Sequence, residues 1–206
     1  PDRANLVERY DLASLGCQSA ECIHLLVEAK KLAFADRDRY VSDPDFVSVP
    51  VESLISKSYA LKRRRKIAQS RAAKVYPPGT VTGDTIYLAT VDREGNAVSL
   101  IQSIYYAFGS GLTVDGTGIV LHNRGAYFSL NPNHANRLEP RKRTMHTLIP
   151  ALIFKDNALF AVLGTSGADG QPQTQLQMIT NLVDFGMDIQ EAIEAPRWLS
   201  GRRVLE

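Results

Sequence analysis

The sequence predicts an α+β domain in which helices precede and follow a mostly antiparallel sheet. Residues 19–75 carry a helical apolar period and many charges, and short β-branched runs joined by turns begin at Thr85. Helical periodicity returns after residue 170, so helical and strand segments are grouped rather than alternating. The 206 residues, 44% hydrophobic and 22% charged, are enough for a buried core.

The N-terminal segment predicts two helices. The first has a 3.6-residue apolar period and begins near Gln18 or Ser19. Its face comprises Ile23, Leu26, Val27, Lys30, Ala33 and Phe34. Prolines at 44 and 50 separate it from a second helix over residues 51–70, whose basic run at 62–66 we interpret as a solvated face. Without interleaved aromatics, and with a net charge of +2, this run does not predict nucleic-acid binding.

Residues 76–84, YPPGTVTGD, read as a linker, and alternating residues on both sides of a DREGN turn then predict a β-hairpin. Further strands are predicted at 118–123, 151–154 and 159–164. The glycine-rich stretch TSGADGQPQ leads into a helix with one apolar face, and a short helix follows over 189–195. That apolar face comprises Leu176, Ile179, Leu182 and Val183.

Several function classes lack support. No apolar run approaches the roughly 20 residues that span a bilayer, and the histidines and the pair Cys17 and Cys22 lack the spacing of metal ligands. We therefore expect no membrane span, metal or cofactor. The chain begins Pro-Asp-Arg, which we interpret as the start of a fragment or processed product, and it predicts no compartment.

Five stretches, in order and at matching spacing, resemble γ-glutamyltranspeptidases. They are GDTIYLATVDREGNAVSLIQS, FGSGLTVDGTGIVLHN, PRKRTMHTLIPALI, GTSGADGQPQTQLQM and EAIEAPRW. Upstream, HLLVEAKKLAFADRDRYVSDP resembles the end of that family's large subunit. The resemblance implies an αββα N-terminal-nucleophile hydrolase sandwich, of which this chain is the C-terminal portion. Residues 1–84 would end the large subunit with its processing linker, and residues 85–206 would form the small catalytic subunit.

The resemblance also implies self-cleavage between Asp84 and Thr85, with Thr85 as the nucleophile. A freed α-amine, with a pKa of about 7.7–8.0, is a suitable base for a weakly nucleophilic hydroxyl. Ser103 stands where the family has a supporting threonine, but a polar residue on an outward strand face is the alternative. Gly167 and Ala168 stand where two glycines form the oxyanion hole, and a plain strand-to-helix turn is the alternative there.

At the positions that hold a donor's α-ammonium in the family, this chain has Tyr105, Arg124 and Tyr127. The family's paired serines for the α-carboxylate become His146 and Thr147, with Arg143 nearby in sequence. A guanidinium repels an ammonium, so an acyl group with a carboxylate and no amine fits better, similar to the glutaryl-type cephalosporin acylases. The alternative for each of these residues is a structural or packing role.

The sequence thus predicts an amidohydrolase or acyltransferase for γ-glutamyl- or glutaryl-type amides, working through an acyl-threonine. A glutathione hydrolase proper and a non-catalytic structural partner are the alternatives. The expected partners are a small amide substrate and the N-terminal part of the large subunit, and a homo-oligomer is left open.

Overall fold

The computed structural model describes residues 2–73 and 84–201. The chain divides into two compact units. The first unit comprises Pro1–Pro77, Phe128–Met145 and Leu176–Ser200, and the second comprises Pro78–Tyr127, His146–Gln175 and Gly201–Glu206. Apart from Asp84, the predicted linker lies outside the described residues.

The first unit is largely helical. Its N-terminal helices are α1 Asp2–Val7, α2 Leu12–Leu15, α3 Ala20–Tyr40, α4 Val51–Ile55 and α5 Lys57–Arg64. The predicted start of the long helix is confirmed, because the Ser19 side chain accepts the backbone N–H of Cys22 and caps α3. Helix α3 supplies much of the buried core. That core consists of Leu6, Val7, Leu12, Cys22, Leu25, Leu26, Ala29, Ala33, Ala60, Ile67 and Leu176.

The prediction of one helix over residues 51–70 was wrong. Ser56 is extended and separates α4 from α5, and its side chain accepts the Tyr59 N–H to start the second helix. Helix α5 then ends at Arg64. A serine that caps a new helix competes with continuation of the old one, which apolar periodicity alone does not reveal.

Part of the basic run at residues 62–66 has a structural role. The Arg63 guanidinium donates to the Asp36 carboxylate and to the Leu32 carbonyl. The Arg64 guanidinium donates to the carbonyls of Asn5 and Leu6. Two of the five basic side chains therefore hold α5 against α3 and α1.

The second unit is built on antiparallel hairpins, as predicted. Strand β1 Asp84–Val91 pairs with β2 Ala97–Tyr105, and β5 Ala151–Lys155 pairs with β6 Ala158–Leu163. The strand predicted at 118–123 is only β4 Ile119–Val120, paired with β3 Thr113–Val114. Each pair forms a separate two-stranded sheet in the described residues. Strands β2 and β6 lie in contact, so the two longer hairpins are neighbours.

The two longer hairpins lie very close together just beyond β6, where Gly164 faces the Tyr87 ring. A Cβ on Gly164 would stand 2.3 Å from the Tyr87 ring of β1, so only glycine fits there. The Tyr87 hydroxyl in turn shares a hydrogen bond of 3.0 Å with the Ser99 hydroxyl of β2.

Helix α6 Gln171–Val183 contributes residues to both units, and α7 Ile189–Glu194 follows it. The apolar face predicted for α6 is only partly correct, since Leu176 is buried but Val183 is 61% exposed. Its buried side is mostly polar, comprising Gln171, Gln173, Gln175, Gln177, Thr180 and Asn181. Some of these side chains bond irregular backbone, as when the Gln177 amide bonds both the N–H and the carbonyl of Trp198.

Candidate active site

The predicted nucleophile lies beside its predicted support. Thr85 is the second residue of β1, and its side chain is partly buried on the same face as Tyr87. The Thr85 hydroxyl donates to the Ser103 hydroxyl at 3.1 Å, and the Tyr105 N–H donates to the same Ser103 oxygen at 3.0 Å. Ser103 therefore connects the Thr85 side chain to the backbone at the end of β2.

The β1–β2 ladder is irregular at this point. Asp84 pairs with Tyr105 and Ile86 pairs with Gln102, so Ser103 and Ile104 together oppose Thr85. Such a bulge re-aims side chains and is common beside active sites. Tyr105 then takes a φ of +80°, a left-handed conformation that is unusual for an aromatic residue. Local strain of this kind persists only where surrounding contacts hold it.

Tyr105, Arg124, Tyr127 and Thr147, which we call the arginine cluster, lie together. The Arg124 guanidinium stands 4.5 Å from the centre of the Tyr105 ring and 5.8 Å from that of Tyr127. One of its N–H groups donates to the Thr147 hydroxyl at 3.1 Å. Residues Arg124–Tyr127 form a 3₁₀ turn, and the Arg124 backbone N–H donates to Nδ1 of His122.

Burial shifts the pKa values of Tyr105 and Arg124 in the arginine cluster. Tyr105 is 2% exposed, and this burial, with a hydrogen bond to Tyr127, raises the pKa of the Tyr105 phenol far above its ordinary value. Burial also lowers the pKa of Arg124. Since a guanidinium cannot be deprotonated in proteins, the cluster carries a positive charge beside the neutral Tyr105 phenol.

His146 lies near this charge. Although the residue is exposed, the surrounding protein removes part of its hydration, which lowers the pKa of His146, and the Arg124 charge lowers it further. Nδ1 of His146 accepts the Leu148 N–H at 3.2 Å. At neutral pH the ring is therefore uncharged and carries its proton on Nε2.

The glycine-rich loop adopts a shape suited to an anion. Gly167 has a φ of +105° and Ala168 a φ of +46°, and a 3₁₀ turn Ala168–Gly170 leads into α6. Within residues 2–73 and 84–201, the amide N–H groups of Gly167 and Ala168 donate no hydrogen bond. Free donors at the start of a helical segment are what an oxyanion requires.

Gln171 joins this loop to the arginine cluster, and the sequence analysis did not single it out. The side chain is completely buried. Its amide nitrogen, in the orientation that satisfies its neighbours, donates to the carbonyls of Thr147 at 2.9 Å and Thr165 at 3.3 Å. In the sequence, the feature that could have pointed to Gln171 is its position directly after the glycine-rich loop. On the same loop, the Asp169 carboxylate contributes to the raised pKa of Tyr105.

Arg143 already has carboxylate partners. It belongs to the first unit, where its guanidinium donates to the Asp43 and Asp45 carboxylates and its backbone N–H donates to Asp43. Asp84 contributes backbone to β1, and its side chain lies outside the described atoms. All the other predicted site residues lie in the second unit.

Residues 2–73 and 84–201 offer neither a membrane-spanning helix nor a metal site. Within those ranges, no helix is long and apolar enough to cross a membrane. The same ranges contain no group of three or more histidine, cysteine or acidic side chains able to hold a metal ion. Cys17 and Cys22 are free thiols.

The chain matches a known protein family. The family model described as Gamma-glutamyltranspeptidase matches residues 4–205. The chain is 48% identical to the glutathione hydrolase-like YwrD proenzyme of Bacillus subtilis and 44% identical to the oxamate amidohydrolase proenzyme of Klebsiella pneumoniae. Each match covers 96% of this chain and 37% of the relative.

A solved structure shares the fold. The crystal structure of cephalosporin acylase from Bacillus halodurans matches with a TM-score of 0.86 and 44% identity, over 97% of this chain and 36% of that one. The same mixture of helices and antiparallel strands therefore occurs in a solved structure. The chain spans little more than a third of the length of these relatives.

Proposed function

The chain belongs to the γ-glutamyltranspeptidase family, and we propose that it forms the catalytic end of an amidohydrolase that uses Thr85 as an N-terminal nucleophile. The observation that carries the proposal is the 3.1 Å hydrogen bond from the Thr85 hydroxyl to Ser103, at a bulge in the β1–β2 ladder. A threonine near the start of a strand is ordinarily structural, but a bulge that pairs two hydroxyls positions one of them for chemistry.

Activation begins with cleavage of the Asp84–Thr85 bond. The Thr85 oxygen attacks the Asp84 carbonyl carbon, the C–N bond breaks, and the nitrogen takes the hydroxyl proton to become a free amine. Water then opens the resulting ester, which gives an Asp84 carboxylate and restores the Thr85 hydroxyl. Before this cleavage the Thr85 nitrogen is an amide and cannot accept a proton, so the intact chain should not turn over substrate.

Turnover then uses the new amine as the base. It takes the Thr85 hydroxyl proton as the oxygen attacks the substrate amide, and it delivers that proton to the leaving amine. Water, or an amine acceptor, resolves the acyl-threonine ester and regenerates the enzyme. We propose that the amide N–H groups of Gly167 and Ala168 bind the oxyanion in both steps, since removal of one such donor typically costs about 10²–10³ in rate.

We also propose that the N-terminal part of a longer precursor packs on this chain to complete an αββα sandwich. The outer face of the β1–β2 hairpin supports this, because Ile86 is 72% exposed and Leu88 and Leu100 are more than 40% exposed. Phe154 and Phe160 of the second hairpin are 61% and 46% exposed. Apolar strand faces of this kind normally lie against another layer. Association between copies of the chain remains a prediction.

Glutathione hydrolase activity proper is the second candidate, because a relative at 48% identity is named as glutathione hydrolase-like. Hydrolysis of γ-glutamyl-p-nitroanilide but not of glutaryl-p-nitroanilide would favour this candidate. The broader proposal covers both acyl groups.

The test is intact mass and N-terminal sequencing of the purified protein, produced within the longer precursor. The wild-type protein should acquire a new N-terminus at Thr85, and Thr85→Ala should remain one chain and inactive. Thr90→Ala is the matched control, since Thr90 is exposed on the same strand and should permit normal cleavage. If the wild-type precursor stays uncleaved, the catalytic proposal fails and a non-catalytic structural role becomes the better account.

A further inference from the structure

One contact joins the glycine-rich loop, residues 164–170, to the strand that carries Thr85. Gly164 is the first residue after β6 and the first residue of this loop. A Cβ on Gly164 would stand 2.3 Å from both Cδ2 and Cε2 of Tyr87 and 2.9 Å from its Cγ. The Gly164 backbone therefore lies directly against the Tyr87 ring, on β1.

Tyr87 shares a face of β1 with Thr85. Two residues of a strand separated by one other point to the same side and lie roughly 6.6–6.8 Å apart along it. Both side chains are half-buried, whereas Ile86 between them is 72% exposed. The Tyr87 hydroxyl shares a hydrogen bond of 3.0 Å with the Ser99 hydroxyl, on the face of β2 that also holds Ser103. The ring is thus held by β2 as well as by its own strand.

The rest of the loop is held by bonds within its own segment. The Gly170 N–H donates to the Gly167 carbonyl at 2.7 Å and closes the 3₁₀ turn. The buried Gln171 amide donates to the Thr165 carbonyl at 3.3 Å. Because both bonds lie within residues 164–171, they fix the shape of this segment. Its distance from the nucleophile depends on a contact with β1, which the Tyr87 ring supplies.

We propose that Tyr87 is a positioning residue whose ring holds the glycine-rich loop at the distance from Thr85 at which the Gly167 and Ala168 N–H groups meet the oxyanion. This inference rests on the proposed function, because it concerns the same oxyanion. Such donors are effective when they stand about 2.7–3.1 Å from the position that the oxyanion takes. A displacement of about 1 Å can lower a rate by about 100-fold. A side chain that sets this distance therefore affects kcat without touching the substrate.

The contact can be disturbed in two opposite directions. Removal of the ring leaves a gap beside Gly164 into which the loop can move. A methyl group on residue 164 instead pushes the loop away from the ring, because the ring atoms stand too close to it. Each change displaces the oxyanion donors, and the two changes together should compensate for one another in part.

Four variants of the processed protein, produced within the longer precursor, test the contact. Tyr87→Phe keeps the ring and removes the bond to Ser99, Tyr87→Leu removes the ring, and Gly164→Ala adds the methyl group. The fourth variant combines Tyr87→Leu with Gly164→Ala. Gly95→Ala is the control, because Gly95 lies in the β1–β2 turn and its added Cβ would meet nothing within 4 Å.

The measurements are kcat and KM, on protein whose Thr85 N-terminus is verified by intact mass, with glutaryl- or γ-glutamyl-p-nitroanilide. A boronic acid of the same acyl chain, with boron in place of the carbonyl carbon, reports on the oxyanion position. The Thr85 oxygen adds to boron, its proton passes to the Thr85 amine, and one boron-bound oxygen takes the place of the oxyanion. The inhibition constant Ki of this compound therefore follows the position of the donors.

Tyr87→Leu and Gly164→Ala should each lower kcat by about 10- to 100-fold and raise Ki by a similar factor, with KM nearly unchanged. Tyr87→Phe and Gly95→Ala should turn over at nearly the wild-type rate. The double variant should be no slower than Tyr87→Leu alone, since the methyl group occupies part of the gap that the ring leaves.

Other results would overturn the inference. Wild-type kcat and Ki in Tyr87→Leu would refute the positioning role while the proposed function stands. A fall in kcat without a change in Ki, or losses that simply multiply in the double variant, would assign Tyr87 to the stability of the hairpin. Tyr87→Leu and Gly164→Ala that melt below the control and fail to cleave would lead to the same conclusion. Wild-type protein that is correctly cleaved but inactive would reject the proposed function, and this inference with it.

Discussion

Replacement of Ser103 by alanine tests whether the hydroxyl pair at the bulge is chemical or merely structural. In the wild-type protein the Ser103 oxygen accepts from the Thr85 hydroxyl and from the Tyr105 N–H. Alanine removes both interactions. Loss of a neutral hydrogen bond to the nucleophile costs about 0.5–1.5 kcal/mol, so self-cleavage should slow by about 2- to 10-fold. The orphaned Tyr105 N–H should lower the free energy of unfolding by about 1–3 kcal/mol.

The assay follows the appearance of the Thr85 N-terminus over time by intact mass, beside a thermal melt. Ser103→Thr retains the hydroxyl and should cleave at nearly the wild-type rate. Ser99→Ala is the matched control, because it removes a hydrogen bond to Tyr87 from the same face of β2 without involving Thr85. Cleavage of Ser103→Ala at the wild-type rate, with a lowered melting temperature, would refute the chemical role.

Three further substitutions test other parts of the molecule. Gly167→Ala should leave cleaved protein with kcat reduced by at least about 10-fold and KM nearly unchanged, because a φ of +105° strains any side chain and shifts the oxyanion donors. Gln171→Leu should lower kcat/KM and reduce stability by about 1–3 kcal/mol per orphaned carbonyl, which steady-state kinetics and a denaturant melt would measure. Asp43→Asn concerns pH, because hydrogen bonds from Arg143 hold the pKa of Asp43 well below its usual range. A depressed carboxyl pKa stabilises the fold above the unfolded value of about 3.9 and loses that effect as the pH falls, so the variant's deficit in Tm should be present at pH 7 and shrink below about pH 4.

The parts of the fold that follow from periodicity were predictable from the sequence. Most of β2 alternates in burial as its alternating sequence predicts, and the apolar runs at 151–154 and 159–164 form the pair β5–β6. The division of the second helix at Ser56 was not predictable in this way, because it depends on a capping hydrogen bond. The polar buried side of α6 was missed for a related reason, since its glutamines bond backbone groups of distant segments.

For the candidate site, the sequence proposes a set of residues but little of their geometry. Motif positions identified Thr85 and Ser103, and their hydroxyls are in contact. They also identified Arg124 and Thr147, which are hydrogen-bonded. Arg143 illustrates the limit, because its closeness in sequence to His146 suggested a binding role, yet its guanidinium pairs with Asp43 and Asp45. Only tertiary contacts reveal which arginine already has an anion.

Backbone strain at two non-glycine residues indicates which contacts maintain the site. Tyr105 and Ala168 have φ values of +80° and +46°, and they are 2% and 4% exposed. A left-handed conformation costs an ordinary residue about 1–2 kcal/mol, which the surrounding contacts must offset. For Tyr105 those contacts are the Tyr127 ring, the Arg124 guanidinium and the backbone bond to Ser103. Arg124 and Ser103 are therefore coupled through one strained residue, so a change at Arg124 should also displace the Thr85 hydroxyl.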